Sequence, residues 1–172
     1  MANSVEGGVV SFDSALDESL KFLAELGMSR ELRMEQKVAI SSLVSGKDLL
    51  AVLPTGFGKS LIFQMLVLIK QIMTGKPSSA VVVCPLQSII YDQLAEASSM
   101  GLTAAALTDC RLEEIESGKY QLIFASAEEV LSKPFLSSLK KTASLFHQNM
   151  CAIIVDESHT VETWTGQRFV PV

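Results

Sequence analysis

Leu53-Pro54-Thr55-Gly56-Phe57-Gly58-Lys59-Ser60 is the stretch that decides how this chain folds. An apolar run, Asp48 to Val52, precedes it, and a longer amphipathic one, Leu61 to Ile72, follows. That order predicts strand, glycine loop and helix, the setting in which a P-loop pattern becomes a phosphate site. Gly56 and Gly58 let the backbone curl so that its N–H groups converge on phosphate oxygens. The helix behind the loop adds the positive end of its dipole. In this reading Pro54, Thr55, Gly56, Phe57 and Gly58 form a cradle. Lys59 reaches the β- and γ-phosphates, and the Ser60 hydroxyl holds Mg²⁺. The strict pattern begins with a glycine, where Leu53 stands here. A plain turn would also use these glycines; Gly-Lys-Ser at a helix start favours the phosphate reading.

A second motif completes the first. Cys151-Ala152-Ile153-Ile154-Val155 is a short apolar run, predicted to be a buried parallel strand, and it ends in Asp156-Glu157-Ser158-His159. Taken alone, an acidic pair after a strand reads as a solvated turn. Combined with a P-loop, it reads as a Walker B pair at the carboxyl edge of a sheet. Asp156 would bind Mg²⁺ directly or through water, and Glu157 would orient and deprotonate the attacking water.

The 172 residues suit one domain with a sizeable core, with 1–11 as a loose N-terminal segment and 12–172 as the domain, expected to be cut short at its C-terminal end. Hydrophobic residues make up 48% and charged residues 19%, which excludes a disordered chain. The net charge of −5 argues against nucleic-acid binding by bulk charge, while leaving room for a local basic channel. Cys84, Cys110 and Cys151 are widely spaced and odd in number, which argues against a zinc site or disulfide framework and fits a reducing, intracellular setting. Two of the three lie in strand-like runs and read as inert core residues. The N-terminus has no basic region followed by an apolar core. Leu61 to Ile69 is too short to span a bilayer, so no membrane association is expected.

Along the chain, Leu16, Leu20, Leu23 and Leu26 share one helical face, and Gly27 closes that helix. Met34 to Leu43 reads as a second helix, ended near Gly46. Gly75-Lys76-Pro77-Ser78-Ser79 reads as a turn. Ala80 to Cys84, Ala104 to Leu107 and Tyr120 to Phe124 read as strands. Leu86 to Met100, Glu113 to Ser117, Ala127 to Leu131 and Phe135 to Phe146 read as helices, the last two separated by Pro134. The alternation predicts an α/β fold, a parallel sheet flanked by helices on both faces.

With both motifs placed, the chain resembles the first RecA-like domain of superfamily 2 helicases, and the RecQ family most closely, from about Leu26 to Trp164. Helicases relax the first P-loop position, which accommodates Leu53. Leu32-Arg33-Met34-Glu35-Gln36 is similar to the family's Phe-Arg-x-x-Gln motif, which implies that Gln36 reads the adenine edge and Arg33 packs on the base. Phe63-Gln64 follows the loop as in relatives. Cys84-Pro85-Leu86-Gln87-Ser88-Ile89-Ile90-Tyr91-Asp92-Gln93 resembles the segment that touches the single-strand backbone, which implies DNA contacts at Pro85, Leu86, Ser88 and Gln93. Ser126 to Leu131 stands in the place of Thr-Pro-Glu-Arg-Leu, with Glu129 where relatives carry Arg. Asp156-Glu157-Ser158-His159 stands for Asp-Glu-Ala-His, which implies that His159 couples the nucleotide site to a partner domain. Thr160 to Trp164 resembles the family's aromatic-rich loop, which implies a DNA contact at Trp164; beyond Trp164 the register differs. An aromatic before the Gln motif is absent near Met28 and Ser29.

The resemblance implies an enzyme: the ATP-binding lobe of a 3′-to-5′ DNA helicase that uses ATP and Mg²⁺ to move along single-stranded DNA, nuclear in a eukaryote. The family's second RecA-like lobe and its arginine fingers are absent from these 172 residues, which implies a fragment or a degenerate relative with little activity by itself. A DEAD-box-like RNA helicase lobe is a second reading, against which the Gln87–Gln93 run and Trp164 argue. A non-catalytic ATP-binding or partner-binding module is a third. Without the P-loop, Gln36 reads as a solvated helix residue, Trp164 as a core anchor and His159 as a surface residue. His147 reads as structural, and Lys140-Lys141 as a solvated helix face.

Overall fold

The computed structural model describes residues 10–157, so Ser158, His159 and Trp164 lie outside the described residues. The chain divides into two compact units, Met1–Ser78 and Ser79–Val172.

The first unit is helical. Ser11 caps α1 (Phe12–Glu25), its hydroxyl accepting from the Ser14 N–H at 3.2 Å. Ala15, Leu16 and Leu23 form the buried stripe. Ser19 enters it by donating its hydroxyl to the Ala15 carbonyl at 2.8 Å. Leu26, predicted to share that face, lies past the helix end and is exposed. The second helix, α2 (Met34–Val44), buries Gln36, Ala39 and Ile40. Both helices pack against α3 (Lys59–Thr74), in which every residue from Leu61 to Ile69 is buried. Burying side chains such as Leu23, Ile40 and Leu66 stabilises the unit by roughly 1.5–3 kcal/mol each.

The strand expected over Asp48 to Val52 does not form. The segment has no regular structure, with Leu50 80% and Val52 89% exposed. Its composition is strand-like, but a strand exists only through a ladder partner, and among the described residues no ladder bond is made to it.

The second unit is a parallel sheet with helices around it. Its elements are β1 (Ser79–Val83), α4 (Gln87–Ser99), β2 (Ala104–Ala106), a 3₁₀ turn (Leu107–Asp109), α5 (Leu112–Glu116), β3 (Leu122–Ala125), α6 (Ala127–Val130), α7 (Lys133–Leu139), α8 (Leu145–Asn149) and β4 (Met150–Val155). The strand order is β2-β3-β1-β4. Val82 stands beside Phe124 on one side and Ile154 on the other. β1 and β3 are buried at every residue, which accounts for their unbroken apolar runs. Val81, Ile123, Ile115, Phe135 and Phe146 form a core cluster, the two phenyl rings 6.2 Å apart and tilted by 51°.

Several boundaries differ from expectation for local reasons. β3 starts at Leu122 because the Gln121 side chain and backbone are bonded to Thr103 instead. The single helix expected over Phe135 to Phe146 is two. Ser144 caps α8 by accepting from the His147 N–H at 3.1 Å, and the His147 ring nitrogen Nδ1 meets the Leu139 carbonyl at 2.7 Å, so His147 ties the two helices together. Pro134 sits in the first turn of α7 rather than between helices. Lys140 and Lys141 lie just past α7, and Lys141 pairs with Glu116. β4 is parallel as expected but not buried. It is the last strand in the order, and Ile153 and Val155 are 54% and 45% exposed.

Candidate functional site

The glycine loop is shaped by left-handed backbone and by one buried amide. Gly56 has φ 76° and Gly58 φ 85°, a region where side chains with a Cβ are strained. The Phe57 N–H donates to the Pro54 carbonyl at 3.2 Å, which closes the turn ahead of the helix. Gly58 is the N-cap residue of α3, so Lys59 and Ser60 occupy its first turn. Pro54, Thr55 and Gly56 are exposed, while Phe57 to Ser60 are half-buried.

Arg33 and Gln36 reach this loop from the start of α2. The Gln36 side chain is 3% exposed. Its oxygen accepts from the Arg33 N–H at 2.9 Å. Its nitrogen donates to the carbonyls of Phe57 at 3.2 Å and Gly58 at 3.1 Å. The neighbours fix the amide's orientation: a backbone N–H requires oxygen on one side, and two carbonyls require nitrogen on the other. The Arg33 guanidinium lies over the Phe57 ring, 4.4 Å from its centroid. Sequence reasoning placed Arg33 and Gln36 at the nucleotide but missed Phe57 as the partner of Arg33; no local pattern links residues that far apart.

In the second unit the acidic pair ends β4. The Asp156 N–H donates to the Val83 carbonyl at 2.9 Å, extending the ladder one residue beyond the strand. The Glu157 N–H then donates to Asp156 Oδ1 at 3.0 Å. Glu157 has φ 52°, a left-handed conformation that costs a non-glycine residue roughly 1–3 kcal/mol and that gathers at functional turns. Cys84, at the same end of the neighbouring β1, is buried. Burial, and then the Asp156 carboxylate, push its thiol up to about 12. The thiol is therefore neutral at physiological pH, in keeping with an inert core residue.

Because β1, β3 and β4 are adjacent and parallel, the loops after them share one edge of the sheet. The loop after β1 carries the residues that the sequence reading assigned to a polynucleotide. Pro85 is half-buried, Leu86 is 60% exposed at the N-cap of α4, and Ser88 is exposed in its first turn. Gln93 is turned further in, its amide oxygen buried with no hydrogen-bond partner among the described residues. The loop after β3 carries a capping box. Ser126 accepts from the Glu129 N–H at 3.3 Å, and Glu129 accepts from the Ser126 N–H at 2.7 Å. Glu129 also receives the Gln87 amide at 3.4 Å. The Glu129 carboxylate thus shapes the loop itself. The Ser-x-x-Glu spacing was the signal for this role.

Among the described residues, no group of three or more His, Cys, Asp or Glu side chains gathers as a metal cluster. Ser60 and Asp156 are hard oxygen donors of the kind Mg²⁺ prefers, so both fit that ion. No described helix is long and apolar enough to cross a membrane.

Comparison with known proteins follows the same residues. The family described as DEAD/DEAH box helicase matches residues 33–170. The ATP-dependent DNA helicase Q-like SIM of Arabidopsis thaliana is 37% identical over 147 residues, 81% of this chain and 16% of the relative. The ATP-dependent DNA helicase Q-like 5 of the same plant is 31% identical over 172 residues, 95% of this chain and 18% of the relative. The ATP-dependent DNA helicase RecQ of Haemophilus influenzae is 28% identical over 150 residues, 83% of this chain and 22% of the relative. The chain therefore spans less than a quarter of the length of these relatives.

Proposed function

The chain belongs to the DEAD/DEAH box helicase family, and from that premise we propose that it is the ATP-binding lobe of a RecQ-like DNA helicase. The observation that carries this reading is the glycine loop. Two left-handed glycines lead directly into α3 and place Lys59 and Ser60 in its first turn. In this proposal Pro54 to Gly58 cradle the phosphates, Lys59 neutralises the β/γ-phosphate charge and Ser60 contributes a hydroxyl to Mg²⁺. Asp156 supplies the carboxylate for the metal, directly or through water. Glu157 takes the proton of the attacking water. The metal, when bound, neutralises charge on the phosphates.

The whole protein would couple hydrolysis to 3′-to-5′ movement on single-stranded DNA inside the cell, in the nucleus of a eukaryote. Pro85, Leu86, Ser88, Gln93 and Trp164 would meet the strand, and His159 would relay to a second RecA-like lobe that supplies the opposing arginine. The test is ATP turnover with and without single-stranded DNA, in the chain alone and joined to such a lobe. Slow turnover alone and DNA-stimulated turnover when joined support the reading. Absence of ATP binding, or loss of nothing in Lys59→Ala, would remove it.

A further inference from the structure

We propose that Glu129 is a specificity-determining residue for a single strand at the sheet edge: its carboxylate bridges the loops after β3 and β1 and stands as a fixed negative charge that holds the strand's phosphates off that edge. The two loops leave the sheet side by side. Val83 and Ala125 are partners across the ladder, and the Cys84 N–H donates to the Ala125 carbonyl at 2.8 Å. Ser126 and Glu129 follow β3, while Gln87 and Ser88 follow β1 as the first residues of α4. Glu129 is fastened between them. Its Oε2 accepts from the Ser126 N–H at 2.7 Å, the length of a charge-assisted bond, and its own N–H donates back to the Ser126 hydroxyl at 3.3 Å. Its Oε1 receives the Gln87 amide at 3.4 Å, a long contact that leaves this oxygen capacity for a further donor.

Two further observations give this charge its effect. The first is the helix it faces. The N-cap of α4, Leu86, supplies no side-chain hydrogen bond, and the positive end of a 13-residue helix favours an anion. The chain brings one of its own to that end, from the neighbouring loop through Gln87. The second is the charge pattern along the chain. No lysine or arginine occurs from Pro77 to Cys110, nor from Tyr120 to Ser132, and these two stretches hold both strands and both loops. Glu128 precedes Glu129, and Asp156 and Glu157 end β4 on the other side of β1. A phosphate laid across the two loops therefore meets carboxylates and, within those loops, no cation to neutralise it.

This inference rests on the reading that a strand lies on this edge, and its test separates the two. Glu129→Gln removes the charge and keeps an oxygen for the Ser126 N–H. Glu96→Gln makes the same change in net charge nine residues further along α4 than Gln87, about 13 Å away by helical rise. Fluorescence anisotropy with a labelled oligodeoxythymidine, across a salt series, reads the affinity of the wild-type chain and of both variants. At about 20 mM salt Glu129→Gln should bind roughly three- to tenfold tighter than the wild type, and at about 0.5 M the gain should vanish, because salt screens an exposed charge. Glu96→Gln should stay within about twofold of the wild type throughout, its charge lying beyond the screening length at all but the lowest salt. The salt comparison is made within each variant, so a lowered thermal midpoint does not obscure it. Equal affinities of the wild type and Glu129→Gln would overturn the inference. A gain that persists at high salt would overturn it as well, being an effect of loop structure and not of charge. Equal gains in both variants would assign the effect to net charge and overturn it too. Failure of the strand reading has a different signature: neither the wild type nor Glu129→Gln binds the oligomer at any salt, and the inference falls with it.

Discussion

The glycine loop and the acidic end of β4 hold functional backbone in opposite ways. The loop takes its shape from two glycines and from a side chain that arrives from another helix. The acidic pair is placed by a sheet ladder, since the Asp156 N–H is one more rung on Val83 after a run of parallel pairs. Gly58 stands in left-handed space at no steric cost, whereas Glu157 stands there at φ 52° and pays for it. A loop held by one amide and two glycines is fragile to single substitutions around it. An acidic pair held by a ladder should depend only on its own carboxylates.

Glu157→Gln carries the largest expected effect. In a version of the protein that turns over ATP, hydrolysis should fall by roughly 10²–10⁴-fold, the usual contribution of a general base, with nucleotide affinity little changed. Single-turnover kinetics beside a binding isotherm would read both, and retained turnover would take Glu157 out of the proton-transfer role. Lys59→Ala should weaken triphosphate binding by about ten- to a hundredfold, because a charge-assisted contact of this kind contributes roughly 1.5–3 kcal/mol. Calorimetry checks it.

A mirror pair of substitutions tests the strain contrast directly. Gly58→Ala should cost about 1–3 kcal/mol of stability, since its Cβ meets the Gln36 amide and its backbone is left-handed. Glu157→Gly should raise stability by about 1 kcal/mol by relieving the strain, while removing the carboxylate proposed to take the water's proton. Denaturant melts of the two variants should therefore move in opposite directions. Equal shifts of the same sign would break the comparison.

The smallest effect concerns pH. Burial, and then the Asp156 carboxylate, push the Cys84 thiol from the ordinary 9.0 up to about 12. The folded state therefore keeps its proton where the unfolded state loses it. The contribution of this group is intact below about pH 9 and is lost as pH rises towards 12. Because the Asp156 carboxylate adds to the shift, Asp156→Asn should move the onset of Cys84 alkylation to lower pH, by less than burial accounts for. An unmoved onset would separate the thiol from the acidic pair.

Much of this was legible along the chain. β1 and β3 were visible as unbroken apolar runs because both are buried throughout. α3 was announced by Gly-Lys-Ser, whereas the capping box of α6 went unread although its Ser-x-x-Glu spacing carried the signal. The run at Asp48 to Val52 looked the same as β1 and formed no strand, because composition records apolarity and not the presence of a partner. Cys151 to Val155 read as buried, yet Ile153 and Val155 are exposed and the rest of β4 is half-buried, β4 being the last strand in the order of the described residues. The break at Ser144 went unread because a lone serine caps a helix only when the chain ahead of it has already turned.

By itself, the sequence determined the family, the α/β alternation and the identity of the chemical groups: two glycines, a lysine, a hydroxyl and an acidic pair, all encoded as contiguous motifs. Only the tertiary structure decided how those groups are held. Gln36 on the loop carbonyls, Arg33 on Phe57, and Asp156 on the ladder beside Cys84 are contacts between residues far apart in the chain. Local spacing sets helix faces and turn angles, because those depend on neighbours a few bonds away. Which amide reaches which carbonyl depends on how the elements pack, and no spacing along one segment records that.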